Sequence, residues 1–599
     1  NRDQTSFIIS LSTSYQIIKG LSAALLYQHN RQLTNNEILH QQGSYFTRNL
    51  INRFSVVDYS TGSVKYGIPL GAILDFTQRE YHSNKGRFQL SYEYKGNPIH
   101  NIHAIGGVEI HGDENESNSY RYYGYDLETK VNANSAIDFL SPQPLYHNNS
   151  SARIESRASS SSSINKFRSY YANFSYSFHK KYTITASSRR DESNLFGVKP
   201  NQKGVPLWHI GAGWEISRED FYKSKFLPYL KFRISYGYNG NVSQSVTALL
   251  TAQASGFTNN WGQLTATLIN PPNPSLRWEK IRVTNIGVDF STIDKILSGN
   301  VELYHKKGID LIGESELPPQ TGNISFTGNS ANTRTLGMDI ALNLKPLRRT
   351  FQWEINYLLS YAKQKVTEYK LPPRSNNDIV TAASRNPVVG YPYFAVFAYR
   401  WGGLDSLGNP TGLVDGKQST NYSAIRNSTD RSFIAFVGSV VPQWFGSIRN
   451  NFFWKNFGLS FNIVYKLDYV FMRTSTTGSQ YYSGSGYQYA TDYPMRWQKP
   501  GDEKYTNVPA INYPSNSTRD AFYSNSEVLM EKADQVRLND IRLSYEASYN
   551  RGKIKKISFY TYISNIGIIW KANRRGIDPD VNTGIPAPLS ISFGAQCNF

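Results

Sequence analysis

Along much of this chain apolar and polar side chains alternate with period two, and each alternating run lasts about ten residues or more before a turn reverses it. Period two places successive side chains on opposite faces of an extended strand. In the first run Phe7, Ile9, Leu11, Thr13 and Tyr15 share one face, and Ile8, Ser10, Ser12, Ser14 and Gln16 share the other. The turn Ile18-Lys19-Gly20 leads into Leu21, Ala23, Leu25 and Tyr27. The unit recurs as Phe88, Leu90, Tyr92 and Tyr94, then Lys95-Gly96-Asn97-Pro98, then Ile102, Ala104, Val108 and Ile110. It recurs as Tyr170, Ala172, Phe174, Tyr176 and Phe178, then His179-Lys180-Lys181, then Tyr182, Ile184 and Ala186. Near the end Ile541, Leu543 and Tyr545 precede Asn550-Arg551-Gly552, and Ile557, Phe559, Thr561 and Ile563 follow, backed by Ser558, Tyr560, Tyr562 and Ser564. Ordinary globular strands average about five or six residues, whereas about ten match the tilted path of a strand across a bilayer.

The connections differ in kind. Short turns close the hairpins, and long polar stretches separate them at 31–86, 111–165, 241–280, 369–441 and 471–534. Long loops on one side and short turns on the other are the asymmetry of an outer-membrane β-barrel, one of only two architectures that satisfy every backbone group in lipid. A soluble propeller or tandem sandwiches would show shorter strands and no such asymmetry. The expected fold is therefore all-β: a transmembrane antiparallel β-barrel with long extracellular loops and short periplasmic turns. Seventeen strands can be counted between residues 5 and 599, an odd number. The first and the last both run toward the short-turn side, so the count predicts only part of a barrel, since complete single-chain bacterial barrels have even numbers. The last run alternates Ile591, Phe593, Ala595, Cys597 and Phe599 with Ser592, Gly594, Gln596 and Asn598. Ile591, Phe593 and Phe599 resemble the terminal signal that such barrels present for insertion.

Hydrophobic residues are only 39% of the chain, as expected when one face of each strand meets lipid. The excess of tyrosine (43) and glycine (44) is expected in interfacial girdles, turns and loops. No apolar run reaches the roughly 18 residues of a membrane helix, and Cys597 has no partner for a disulfide. The net charge of +19 suits an anionic leaflet or an anionic ligand. It does not suit nucleic acid, because no five basic residues stand together. Motifs of nucleophilic, zinc or phosphate chemistry are missing from the sequence, so neither catalysis nor a cofactor or metal is expected. Asp405 through Pro410 is oxygen-rich but reads as a turn before it reads as a calcium loop. The candidate contact residues for a ligand or a lid are Tyr481, Tyr482, Tyr487, Tyr489, Tyr493 and Trp497, aromatic faces interleaved with Gly and Ser. Packing of a long loop against itself would use the same residues.

Further motifs carry a family resemblance. They are Arg190-Asp191-Glu192-Ser193-Asn194-Leu195-Phe196-Gly197, Pro206-Leu207-Trp208 with Gly211 and Trp214, and Leu230 through Gly237. They continue with Asn273-Pro274-Ser275-Leu276-Arg277-Trp278-Glu279-Lys280, Asn285 with Gly287, Asp289-Phe290, and Asn329 with Gly337. Val389-Gly390-Tyr391-Pro392, Gly403-Leu404-Asp405, Arg496-Trp497 with Pro500-Gly501-Asp502, and Gly576-Ile577-Asp578-Pro579-Asp580 complete the series. Together they resemble, over nearly the whole chain, the barrel of SusC/RagA-type TonB-dependent outer-membrane transporters of Bacteroidota. The resemblance implies a 22-strand barrel filled by a plug, so residues 1–599 would be its C-terminal portion without the plug and about five strands. It further implies TonB acting through that other part, a SusD-like surface lipoprotein as lid, and uptake of oligosaccharides or peptides. A companion polypeptide is expected to pair with the strand near Thr5 and with the strand ending at Phe599. The rival expectation is a structural subunit of an outer-membrane assembly or secretion complex that reuses the barrel without transport.

Overall fold

The computed structural model describes residues 1–599 apart from 95, 147–149, 195–203, 242–245, 259–262, 317–319, 321–324, 480–489, 549–555, 582–583 and 599. Seventeen strands form one antiparallel sheet. They are β1 (Arg2–Ile18), β2 (Leu21–His40), β3 (Ala72–Glu93), β4 (His100–Tyr125), β5 (Ser159–Phe178) and β6 (Tyr182–Ser193). Next come β7 (Gly204–Trp214), β8 (Tyr229–Asn241), β9 (Glu279–Ser291), β10 (Leu297–Glu316), β11 (Ser325–Arg348) and β12 (Phe351–Tyr369). The sheet ends with β13 (Trp444–Trp454), β14 (Phe457–Leu467), β15 (Gln535–Ser548), β16 (Lys556–Lys571) and β17 (Ser590–Asn598). Each strand pairs with its neighbours in sequence, from β1 against β2 through β16 against β17. No helix among the described residues is long and apolar enough to cross a membrane.

The register carries the alternation across the whole wall. Leu25 faces Phe88, Phe88 faces Val108, and Val108 faces Tyr170, so one apolar face is continuous and turned outward. The other face is polar and cross-linked, with Arg87 on Glu109 at 2.7 Å and Tyr171 on Gln89 at 2.9 Å. The strand count agrees with the seventeen read from the sequence. The strand lengths do not: β3 has 22 residues and β4 has 26. Parts of the predicted polar stretches 31–86 and 111–165 are strand, because β2 runs on to His40, β3 starts at Ala72, β4 reaches Tyr125 and β5 starts at Ser159. Beyond the lipid both faces of a strand are wet, so alternation disappears while the ladder continues. Cross-strand polar pairs hold it there, among them Arg31 with Glu80 (2.6 Å) and Thr77 with Ser119 (3.1 Å).

The tyrosine and glycine excess also has a place that composition alone did not suggest. Gly107 faces Tyr171, Gly337 faces Tyr304, Gly446 faces Tyr465 and Gly594 faces Tyr560 in direct cross-strand register. In each pair the phenol ring lies over the glycine, where a Cβ would overlap it. A bare backbone thus becomes the floor of an aromatic ring inside the wall, which restores packing that glycine forfeits in a strand.

The two edges of the sheet are different from the rest. All 17 residues of β1 are exposed, and so are eight of the nine in β17. These two strands run in the same direction and do not pair with each other.

Candidate functional site

The outer ends of the strands carry folded structure rather than open loops. Between β2 and β3 the helix α1 (Tyr45–Arg53) starts at Ser44, whose side chain accepts from the Thr47 N–H. Its apolar face, with Ile51, packs with Phe54, Ile68, Tyr123, Ile137 and Ile154, so the first two outer connections share one core. Tyr123 is held there by a bond from its hydroxyl to the Glu155 carbonyl at 2.7 Å.

A larger lobe is built from the β12–β13 connection (370–443) and the β14–β15 connection (468–534). Its core joins Phe397, Tyr399, Tyr422 and Ile425 of the first to Phe522 of the second. Phe522 stands with its ring centroid 5.1 Å from Tyr399 and 5.3 Å from Tyr422. Phe522 belongs to α2 (Ser517–Ser524), which is capped by Asn516 accepting from the N–H groups of Thr518 and Arg519. Arg519 is buried and staples the two connections: it donates to Asn409 Oδ1 (3.0 Å), to the Gly408 carbonyl (3.1 Å), to the Ala510 carbonyl (2.8 Å) and to Asp520 (3.1 Å). Nothing in the sequence marked Arg519 or Asp520, because an Arg-Asp step on a short polar helix looks like a solvated surface.

The tyrosine-rich segment springs from this lobe. Asp492, buried, accepts from Arg473 (2.8 Å), Ser475 Oγ (2.7 Å), the Thr476 N–H (3.1 Å) and Thr476 Oγ1 (3.2 Å). Burial pushes its carboxyl up, but the bonds from Ser475, Arg473 and Thr476 outweigh it and hold the group below the ordinary carboxylate range. Ser475 also meets Tyr523 OH at 2.7 Å, and burial pushes that phenol up to about 12. On the other shoulder Ser479 donates its N–H (2.6 Å) and hydroxyl (2.7 Å) to Asp520. Residues 479 and 492 are thereby fixed to the same lobe.

Of the six aromatic residues singled out by the sequence, Tyr481, Tyr482, Tyr487 and Tyr489 lie outside the described residues, as does Phe599 of the C-terminal signal. Tyr493 carries the Arg496 guanidinium over its ring at 4.2 Å. Trp497 donates Nε1–H to Glu503 (3.1 Å) and packs its ring against Gly408 of the neighbouring connection. Trp497 thus takes part in the lobe's own packing, while Tyr493 lies against its near neighbour Arg496. Ile591 and Phe593 stand on the outward face of β17, opposite Ile563 and Thr561. Asp405 accepts from the N–H groups of Leu407 (2.9 Å) and Asn409 (2.8 Å), the geometry of a turn. Among the described residues no three His, Cys, Asp or Glu side chains gather as a metal site.

Several of the family motifs act as tethers, while Leu195, Phe196 and Gly197 of the first lie outside the described residues. Arg277 clasps Asp310, a left-handed residue at a bulge of β10, through bonds of 2.7 and 2.5 Å. Asn329 bridges them, accepting from the Arg277 N–H (3.0 Å) and donating to the carbonyls of Arg277 (2.9 Å) and Asp310 (2.6 Å). Leu276 and Trp278 are buried beside this clasp. In the last outer connection Asp580 accepts from Lys466 (2.9 Å) and Gln535 (2.9 Å), and Asp578 pairs with Arg537. On the inner face of the wall Arg233 reaches both Asp289 (2.7 Å) and Glu302 (2.7 Å) across three strands, and Arg449 meets Asp540 at 3.1 Å. These pairs line the lumen side with fixed charge.

An apolar outer face, a charged inner face, periplasmic turns and folded outer connections define the wall of an outer-membrane β-barrel. Comparison with known proteins names the group: residues 3–566 match the model of the family described as TonB dependent receptor-like, beta-barrel, and the chain belongs to that family. Among curated relatives, the TonB-dependent receptor P39 of Formosa agariphila is 26% identical over 449 residues, covering 66% of this chain and 41% of that protein. The TonB-dependent receptor SusC of Bacteroides thetaiotaomicron is 24% identical over 464 residues, covering 72% of this chain and 43% of SusC. The matched stretch thus spans less than half the length of either. A structure of the RagAB peptide importer in its closed-closed state covers the whole chain with a TM-score of 0.74 at 18% identity, and the chain covers 63% of it. The SusC/RagA resemblance seen in the motifs is borne out by these matches, and with it the outer-membrane location.

Proposed function

We propose that this chain forms the larger part of the wall of an outer-membrane importer, completed by further polypeptide that supplies a plug and about five strands. The observation that carries the reading is the pair of free edges: an odd, antiparallel wall whose terminal strands run the same way and do not meet. An unpaired edge in lipid leaves backbone groups unsatisfied, so β1 and β17 call for partners. The ion-paired inner face suits a lumen that surrounds a plug and passes polar cargo. The structured outer lobe suits a docking rim for a SusD-like lipoprotein, with oligosaccharide or peptide held between lid and barrel. TonB would act on the plug in the completing part.

Uptake by cells carrying the complete protein tests this. Labelled oligosaccharides or peptides should enter in an energy-dependent manner, and entry should stop when TonB is removed. A barrel that takes up neither class, and that co-purifies instead with secretion or assembly factors, would support the scaffold reading.

A further inference from the structure

On the outward face of the wall, near its periplasmic rim, lies a groove of about 680 Å³. Phe452, Trp454, Phe457, Leu543, Phe559 and Phe593 line it. They are brought together by register. Trp454 faces Phe457, Phe457 faces Tyr545, and Tyr545 faces Phe559, while Leu543 faces Thr561 and Thr561 faces Phe593. The aromatic rings tile: Phe457 and Tyr545 have centroids 4.9 Å apart, and Phe351 and Phe452 5.9 Å. None of these residues is more than about five positions from the periplasmic end of its strand, which puts the groove within about 13 Å of the turns at an ordinary strand rise and tilt. That is the periplasmic half of the bilayer.

The mouth of the groove is basic. Lys455 sits in the turn between Trp454 and Phe457, with Nζ 5.3 Å from the Trp454 ring. Arg349 is exposed in the turn that leads into Phe351. An apolar trough that opens among cations at headgroup level has the form of an amphiphile: chain below, anion above.

We propose that this groove binds an anionic phospholipid of the periplasmic leaflet, an acyl chain lying on the aromatic floor and the phosphate held by Lys455 and Arg349. Charge complementarity and continuity with the lipid-facing wall select this occupant. The site depends on the wall and not on import, so it stands even if the barrel proves to be a scaffold.

The test uses the complete protein, delipidated in detergent and titrated with phosphatidylglycerol or phosphatidylcholine of identical chains, with bound lipid counted by native mass spectrometry. Phosphatidylglycerol should be retained at least about tenfold more strongly, as befits two juxtamembrane cations. Lys455→Glu with Arg349→Glu should abolish that preference and leave phosphatidylcholine binding as it was. Leu543→Trp, which fills the trough, should weaken both lipids. Equal retention of the two lipids by the unaltered protein would overturn the proposal, as would a preference that survives the charge reversal. The first of these readings needs no variant to fold.

Discussion

Replacing Asp492 by asparagine keeps the shape of the side chain and removes its charge. The wild-type carboxylate accepts from four donors, on Arg473, Ser475 and Thr476. The hydroxyls of Ser475 and Thr476 can rotate to suit an amide. The Arg473 guanidinium and the Thr476 N–H cannot, and one of them must face the new NH₂. Breaking a buried ion pair from one side costs about 3–5 kcal/mol. Glu531, 3.6 Å from Arg473 Nε, offers a second anion, which argues for the lower end of that range. About 3 kcal/mol is a factor of roughly 100 in a local opening equilibrium. Hydrogen exchange on the complete protein should therefore show residues 473–479 and 519–526 losing about two orders of magnitude of protection. The α1 region, which shares no contact with this pair, should be unchanged. Protection within a few-fold of wild type across 473–479 would refute the idea that Asp492 anchors the segment.

The same carboxyl sets a pH dependence. Its folded pKa lies below the unfolded value, so its contribution is complete above about pH 4 and is lost as pH falls through the folded pKa. Exchange in 473–479 should be insensitive to this group between about pH 5 and 8 and should rise only in stronger acid; a rise at pH 6 would contradict it. Gly337→Val should drive the Tyr304 ring out of its seat and cost about 1–3 kcal/mol by overpacking, seen as a lower unfolding midpoint. Gly86→Ala, with open space around it, should be nearly silent by the same measure. Asn329→Ala removes three bonds from the Arg277–Asp310 clasp. At about 1 kcal/mol net apiece it should cost about 2–3 kcal/mol, and proteolysis should cut first near residues 273–280.

Where lipid imposes a boundary condition, the sequence was readable. Alternation in Phe7–Gln16 or Tyr170–Phe178 has one solution in a bilayer, and the turns that close those hairpins stand where they were expected. The strand count followed for the same reason. Above the membrane that condition ends. The residues from Arg31 to His40 and from Asp113 to Tyr125 are strand with polar groups on both faces, and their pattern alone does not separate them from loop. The outer lobe was illegible for a different reason. Phe522 lies at least 100 residues along the chain from Tyr399 and Tyr422, and only the fold brings them together. Arg519 and Asp492 gain their meaning from that burial. The tyrosine–glycine pairs need the register between strands, which composition does not hold. Tyr493 and Trp497 were marked as candidates for ligand or lid contact because they are aromatic and interleaved with Gly and Ser; their contacts with Arg496 and with Gly408 and Glu503 could not be read from that pattern.

The central claim is that further strands close the wall. A cryo-electron microscopy structure of the complete protein extracted from the outer membrane is the most direct measurement. It should show β1 and β17 each hydrogen-bonded, along the edge now free, to further antiparallel strands, about five in all, in one 22-strand barrel around a plug. A barrel in which β1 pairs directly with β17, closing seventeen strands on themselves, would contradict it.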